Sequence, residues 1–214
     1  LKNNFTQSNI ISLDASIFLL KNQIEISGQI AGSSKDKETG FGAYAYLSYF
    51  HPKYFSVVIE KDYYDKGFNI KDTGFLLRNN FIKDIIHFSI RDQSPGNYIR
   101  NNMIDFIYII EKNCDDLLLA KEIEIQHSIE FINYWTINYS YYKSNDHYHD
   151  LLTFDYELGK VGPIAKIPSS EGYSLNIISD DSNPIFGIIS FGEGKTKLNE
   201  YKRSINFDVV LEPN

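Results

Sequence analysis

The sequence predicts an all-β fold, an antiparallel up-and-down meander forming part of a transmembrane β-barrel, and three observations predict it. Apolar and polar side chains alternate with a period of two almost from end to end, the signature of strands with one greasy and one wet face. The alternating segments run to about ten residues, which suits a tilted membrane span and exceeds the usual strand of about five or six. Aromatic residues make 15% of the chain and gather near segment ends, where rings with a polar tip suit the headgroup level of a bilayer.

The first strand, about 9–20, sets Ile11, Leu13, Ala15, Ile17 and Leu19 against Ser12, Asp14, Ser16 and Phe18. After a Lys21-Asn22 turn, a second at about 22–32 sets Ile24, Ile26, Gly28 and Ile30 against Gln23, Glu25, Ser27 and Gln29. Strands at about 38–50 and 53–63 flank His51-Pro52 and carry Tyr46, Tyr49, Phe50, Tyr54, Phe55 and Tyr63. Two more follow at about 76–91 and 98–112. The next, about 117–130, opposes Ile123, Ile125 and Ile129 to Glu122, Glu124, Gln126, Ser128 and Glu130. A turn at Ile132-Asn133 leads into 133–143, with Tyr134, Trp135, Tyr139, Tyr141 and Tyr142. Strands at 172–180 and 184–192 flank Asp181-Ser182-Asn183, and the last, 199–211, sets Ile205, Phe207 and Val209 against Ser204, Asn206 and Asp208. This makes about eleven long strands in a single region, 1–214.

Short links between successive strands imply antiparallel hairpins. The longer connections are expected at 33–37, 64–75 and 192–199, so short and long links alternate through the first four strands, as in a membrane barrel. Asp150–Glu157 reads locally as one more strand. Counting it as a span would put the long 158–171 link on the short-turn side, so 144–171 is expected to be one long outer loop, with 150–157 extending a hairpin beyond the membrane. On this reading Ile24, Ile26, Ile123, Ile125, Ile205 and Phe207 face lipid. Glu25, Gln29, Glu122, Glu124, Asn206 and Asp208 face the lumen. The alternative is a soluble β-sandwich or jelly-roll that binds carbohydrate through exposed aromatics, with the same isoleucines buried between two sheets.

A net charge of −7 argues against a nucleic-acid partner, since no basic face offers to neutralise phosphates. One cysteine, Cys114, excludes an intrachain disulfide and a cysteine-rich zinc site, and beside Asp115-Asp116 it has no electropositive neighbour in sequence to activate it. The opening residues Leu1-Lys2-Asn3-Asn4 read as part of a longer protein rather than a signal peptide.

Candidate chemistry is sparse: no catalytic residue, cofactor or metal site is expected. Asp146-His147-Tyr148-His149-Asp150 gathers imidazoles and carboxylates, yet no third ligand follows at fixed spacing, and a polar loop tip is the plainer reading. His147, Tyr148, His149 and Phe154 make that loop the candidate contact surface for a ligand or partner. Glu122, Glu124 and Glu130 share a face as a solvated lining would rather than as an acid/base pair. His87 and His127 read as hydrogen-bonded fillers. Gly192-Glu193-Gly194-Lys195-Thr196 lacks the spacing and following helix of a phosphate loop. An enzyme reading such as a glycan hydrolase therefore ranks behind both others.

Two motifs carry a resemblance. The stretch Lys61-Asp62-Tyr63-Tyr64-Asp65-Lys66-Gly67-Phe68-Asn69-Ile70-Lys71-Asp72-Thr73-Gly74-Phe75-Leu76-Leu77-Arg78 resembles an "FNP-x-x-GF-x-x-R" signature. Gly162-Pro163-Ile164-Ala165-Lys166-Ile167-Pro168, followed by a strand and by Ser179-Asp180-Asp181-Ser182-Asn183-Pro184, resembles a "GGP…P…SSDSRKP" segment. The chain ends in Leu211-Glu212-Pro213-Asn214, at a proline turn in those relatives. Ile70, Leu77 and Val161 depart from the pattern. Together the motifs are similar to the barrel region of the domain of unknown function 5916. The resemblance implies an outer-membrane β-barrel in a Gram-negative bacterium, with membrane lipid as partner. It also implies an upstream module resembling family-9 carbohydrate-binding modules, through which glycan is a possible partner. It supplies no catalytic residues.

Overall fold

A computed structural model describes residues 8–35, 38–70, 78–153 and 162–212. Among these there is no helix. Thirteen strands form: β1 (Ser8–Leu19), β2 (Ile24–Lys35), β3 (Glu38–Phe50), β4 (Phe55–Tyr64), β5 (Phe81–Asp92), β6 (Ile99–Lys112), β7 (Leu118–Phe131), β8 (Thr136–Ser144), β9 (His147–His149), β10 (Ala165–Ile167), β11 (Ser170–Ile178), β12 (Ile185–Thr196) and β13 (Tyr201–Leu211). All but β9 and β10 build one eleven-stranded sheet in chain order, each strand antiparallel to the last; β9 and β10 pair only with each other. The sheet is open, with β1 and β13 as its edges. The antiparallel meander expected from the alternation is thus present, strand for strand.

Directly facing residues on paired strands share a face, so the register sorts every side chain. One row across the sheet runs Ile17, Ile26, Leu47, Ile59, Ile86, Tyr108 and Ile123. Ile129, Ile137, Ile177, Ile189 and Phe207 form another row on the same face. Among the described residues no layer covers this apolar face: Ile11 is 80% exposed, Ile189 48% and Ile205 75%. The only buried apolar residues among those described are Phe68, Leu119 and Ala120. Ser33, Ser48, Ser89, Asp105 and Ser144, all on the opposite face, are buried as well, so the polar face is the more enclosed one.

Rings on the apolar face cluster toward both ends of the strands. On the side of the β3–β4 turn, Tyr49 packs on Phe55, Phe55 on Phe88 and Phe88 on Phe106, with centroids 5.5 to 6.3 Å apart. Toward the other end, Phe41 contacts Tyr63, and Tyr173 contacts Phe191.

The rows also drift along the strands. The row that passes Ile17, near the end of β1, leaves the sheet at Tyr201, the first residue of β13 and at the opposite rim. The row through Ile11 reaches Phe41 on β3 and runs off at Asp65 beyond β4. Strand tilt and a one-way register stagger of this kind are what closure of a sheet demands.

The stagger still leaves two distinct rims. On one, the connections are 20–23, 51–54, 93–98, 132–135 and 179–184, none longer than six residues. On the other they are 36–37, 65–80, 113–117, 145–169 and 197–200, and both long ones lie here.

Four expectations need correction. The β12–β13 link is 197–200 rather than 192–199, because Gly192, Glu193, Gly194 and Lys195 pair with Ser204, Arg203, Lys202 and Tyr201 and so extend the ladder. The β2–β3 link is not a loop over 33–37: Ser33, Ser34 and Lys35 pair with Gly40, Thr39 and Glu38, leaving only 36–37 between the strands. Turn-favouring composition is overridden there by a completed ladder, so the expected short-long alternation fails at this link. The outer loop 144–171 is not without strands, because Ser144 ends β8, β9 and β10 pair within it, and β11 begins at Ser170. Finally, β5 starts at Phe81 rather than 76, because Asn80 takes a left-handed φ of 53° and donates its N–H to Asp65 O. Within 150–157, residues 150–153 form bends and turns, and the rest lie outside the described residues.

Candidate functional site

The polar sheet face and its long-loop rim carry the side chains that could contact a ligand. Glu25, Gln29, Glu122, Glu124, Asn206 and Asp208 all fall on this face by register, and Ile24, Ile26, Ile123, Ile125, Ile205 and Phe207 on the other. The carboxylates are stitched across strands. Tyr142 donates to Glu122 at 2.8 Å and Arg100 to Glu130 at 2.6 Å, while along β7 itself Gln126 donates to Glu124 at 2.8 Å. Lys83 pairs with Glu111 at 3.1 Å, and His87 Nε2 meets Asp105 Oδ1 at 2.8 Å. A groove of about 290 Å³ on this face is lined by Asp105, Glu124, Gln126, Ser128, Asn138 and Ser140. Such a surface offers water-like donors and acceptors with an excess of negative charge. His127, on the apolar face, bonds Asn102 at 2.8 Å.

The rim is built by the two long connections, and the first motif explains the first of them. Asp65 continues the β3 ladder: its N–H donates to Phe41 O, and its carboxylate accepts from Phe41 N and Gly67 N. The chain then turns over the polar face. Phe68 is buried, stacked on Tyr64 with centroids 5.5 Å apart, and Asn69 N donates to Ser33 Oγ at 2.9 Å. Glycine is required on both sides of this contact. A Cβ on Gly40 would lie 2.0 Å from Phe68 N, and one on Gly67 would lie 2.2 Å from Thr39 O. The Asn79 amide holds Lys66 O and Phe68 O from below.

The second long connection is tied to the first. Arg78, the last residue of the first motif, donates from Nη2 to both carboxylate oxygens of Asp150, at 3.1 and 2.9 Å, and its guanidinium lies over Phe81 at 5.4 Å. Only 18% and 12% of the two side chains is exposed, so the pair is largely desolvated. The second motif closes the base of its own loop: Thr153 Oγ1 donates to Pro163 O at 2.7 Å, and a Cβ on Gly162 would meet Thr153 O at 2.6 Å. Asp146 joins the start of this loop to its end, accepting from Lys197 Nζ and Ser169 N, both at 2.8 Å. Lys197 above all, with the Ser169 N–H, holds the Asp146 carboxyl down to about 2.

His147, Tyr148 and His149 form β9, where they face Ile167, Lys166 and Ala165 of β10. His147 Nδ1 lies 2.8 Å from Asn145 O, and His149 Nδ1 accepts from Leu151 N. Both imidazoles are thus engaged by nearby backbone, and among the described residues no group of three ligand-type side chains converges. Phe154 lies outside the described residues. Cys114 sits in the 113–117 turn, where burial and the Asp65 carboxylate push its thiol up. Gly192–Thr196 lies inside β12, with Glu193 paired to Arg203 and Lys195 to Glu171. Sequence reasoning missed Arg78–Asp150 as a site element; its one available signal was the arginine closing the first motif.

The class defined by this architecture is an all-β antiparallel meander whose polar face is roofed at one rim by two interlocked loops. Within that class, the chain belongs to the family described as a domain of unknown function (DUF5916), which it matches over residues 1–213. No curated protein and no solved structure matches it.

Proposed function

We propose that the chain is a portion of an outer-membrane β-barrel of a Gram-negative bacterium, an anchor, channel or transport scaffold for a neighbouring glycan-binding module. One observation carries this reading: among the described residues nothing covers the isoleucine-rich face of an eleven-stranded sheet. Apolar surface of that extent costs about 25 cal/mol per Å² in water, so it requires a covering layer, and lipid supplies one without further protein. The two outward aromatic clusters, the staggered register and the confinement of long connections to one rim support the same reading. A soluble sandwich would set a second sheet against those isoleucines, and the only second sheet among the described residues is the three-residue pair β9–β10.

Fractionation of cells expressing the full-length protein tests the proposal. It is expected with outer membranes and resistant to carbonate; recovery as a soluble species without detergent overturns the proposal and favours the glycan-binding sandwich. Facing gives a second test. Ile189→Arg, in the apolar row, is expected to cost about 2–4 kcal/mol if it lies near the bilayer midplane. Ser190→Arg, on the polar face, is expected to leave stability nearly unchanged and to alter conductance in planar bilayers.

A further inference from the structure

The charged residues of the sheet are sorted by face and by rim. The polar face is rich in carboxylates, among them Glu25, Glu60, Asp62, Asp105, Glu122 and Glu124. The apolar face carries the opposite sign. Among the described residues, Lys61, Lys112, Lys121, Lys143, Lys195 and Arg203 stand on it, all within four residues of the long-loop end of their strands. The carboxylates beside them on that face are Asp84, Glu171 and Glu193. Elsewhere the register puts one charged residue on the apolar face, Asp92 at the opposite rim. A chain of net charge −7 thus gathers a cationic belt on one face at one rim.

Four of the six cations are already engaged. Lys61 pairs with Asp84 at 2.7 Å, Lys112 with Asp116 at 2.6 Å, Lys195 with Glu171 at 2.7 Å and Arg203 with Glu193 at 3.0 Å. Lys121 and Lys143 make no ion pair among the described residues, and they are neighbours. Lys143 faces Ile123, two residues along β7 from Lys121, while Asn145 N donates to Lys121 O at 3.0 Å. Diagonal neighbours of this kind lie about 7–8 Å apart, so two long amines can close on one anion. The nearest carboxylate, Glu171, faces Lys143 but is held by Lys195 and by the Tyr141 hydroxyl. Toward the middle of the sheet the same strip continues as Ile123, Ile125, Tyr141 and Tyr139, all on the apolar face. Two ammonium groups suit a phosphate, and an apolar strip beneath them suits a chain attached to it. Resting on the membrane-barrel reading, we propose that Lys121 and Lys143 bind a phosphate of the phosphorylated glycolipid of the outer leaflet. Its acyl chain lies along Ile123 and Ile125. The long loops set the leaflet, since they face outward in a barrel of this kind.

The test uses the full-length protein in neutral detergent, titrated with bisphosphorylated lipid A and followed by native mass spectrometry. Wild type is expected to retain the lipid, and K121A/K143A to bind it about tenfold more weakly. K121R/K143R is expected to bind like wild type, which separates loss of charge from loss of fold. Lys202→Ala, on the polar face, is expected to change nothing. Undiminished binding by K121A/K143A overturns the proposal, and so does an equal loss in Lys202→Ala. Further probes fix the source of the phosphate. Inorganic phosphate and the phosphorylated headgroup stripped of its acyl chains are expected not to displace lipid A; displacement by either makes this a free-anion site and overturns the lipid assignment. Lipid A stripped of its phosphates is expected to bind wild type no better than lipid A binds K121A/K143A. Binding that survives removal of the phosphates shows recognition of the chains alone and refutes the proposal. A protein that proves soluble without detergent fails the membrane reading itself. An outer-membrane protein whose lysine variants hold lipid A normally fails only this inference, and fractionation tells the two apart.

Discussion

The two rims of the sheet are held together in different ways. On the short-turn rim each connection mostly satisfies itself. Gln23 N bonds Leu20 O, Lys53 N and Tyr54 N bond His51 Nδ1, Tyr134 N bonds Phe131 O, and Ser182 N bonds Asp180 Oδ1. Cross-links there, such as Arg91 to His51 O, reach only the next hairpin. On the long-loop rim the partners are remote in sequence. Asn69 reaches Ser33, Lys66 reaches Asp115, and Cys114 N reaches Asn80. Arg78 grips Asp150 across the whole span from β5 to β8. One rim is a set of independent turns, and the other is a mutually dependent lattice. Damage at one point should stay local on the first rim and spread on the second.

Gly40→Val is expected to have the largest effect, because its side chain would overlap the backbone of Gly67 and Phe68 and lift the first loop from the polar face. A loss of about 3 kcal/mol in thermal or urea unfolding is expected, with new protease cleavage between Asp65 and Asn80. Asp150→Ala should follow at about 2–3 kcal/mol, because it strands the guanidinium of Arg78 in a largely dry site. Its diagnostic is increased hydrogen exchange in both long loops; loosening confined to 145–169 would break the lattice description. On the short rim, His51→Ala removes one acceptor shared by two N–H groups and is expected to cost about 1 kcal/mol, without changing exchange at either long loop. The smallest effect is pH-dependent. Because the Asp146 carboxyl is held at about 2 against an ordinary 3.8, its contribution is complete above about pH 4 and is lost as pH falls toward 2. Exchange of the Ser169 amide, corrected for its intrinsic rate, should rise across that window and lose the dependence in Asp146→Asn.

The same contrast decides what could be read from sequence. The eleven long strands were legible because alternation is local, whereas pairings such as Ile17 with Ile26 are seen only in the structure. The turns at Lys21-Asn22 and Ile132-Asn133 were legible for the same reason. At Ser33–Lys35 the composition pointed to a loop, since nothing nearby announces that Gly40, Thr39 and Glu38 will complete the ladder. β9 and β10 escaped because three-residue strands carry no measurable period; each exists only through a partner many residues away. Arg78 and Asp150 were out of reach as a pair, because ion-pair choice at 72 residues' separation is set by the fold. His147, Tyr148 and His149 were visible as a polar cluster, but their tie to neighbouring backbone was not.

The drifting rows have a consequence for anything that moves along the polar face. Glu25, next to the short turn on β2, and Lys202, next to the opposite rim on β13, belong to one continuous row that passes Ser48, His87, Glu124 and Tyr142. In a closed wall that row is a spiral staircase, and its charged steps stand at successive heights. If the chain lines a channel, as proposed above, Glu25 and Glu124 would present their charge at different depths along it rather than in a single ring.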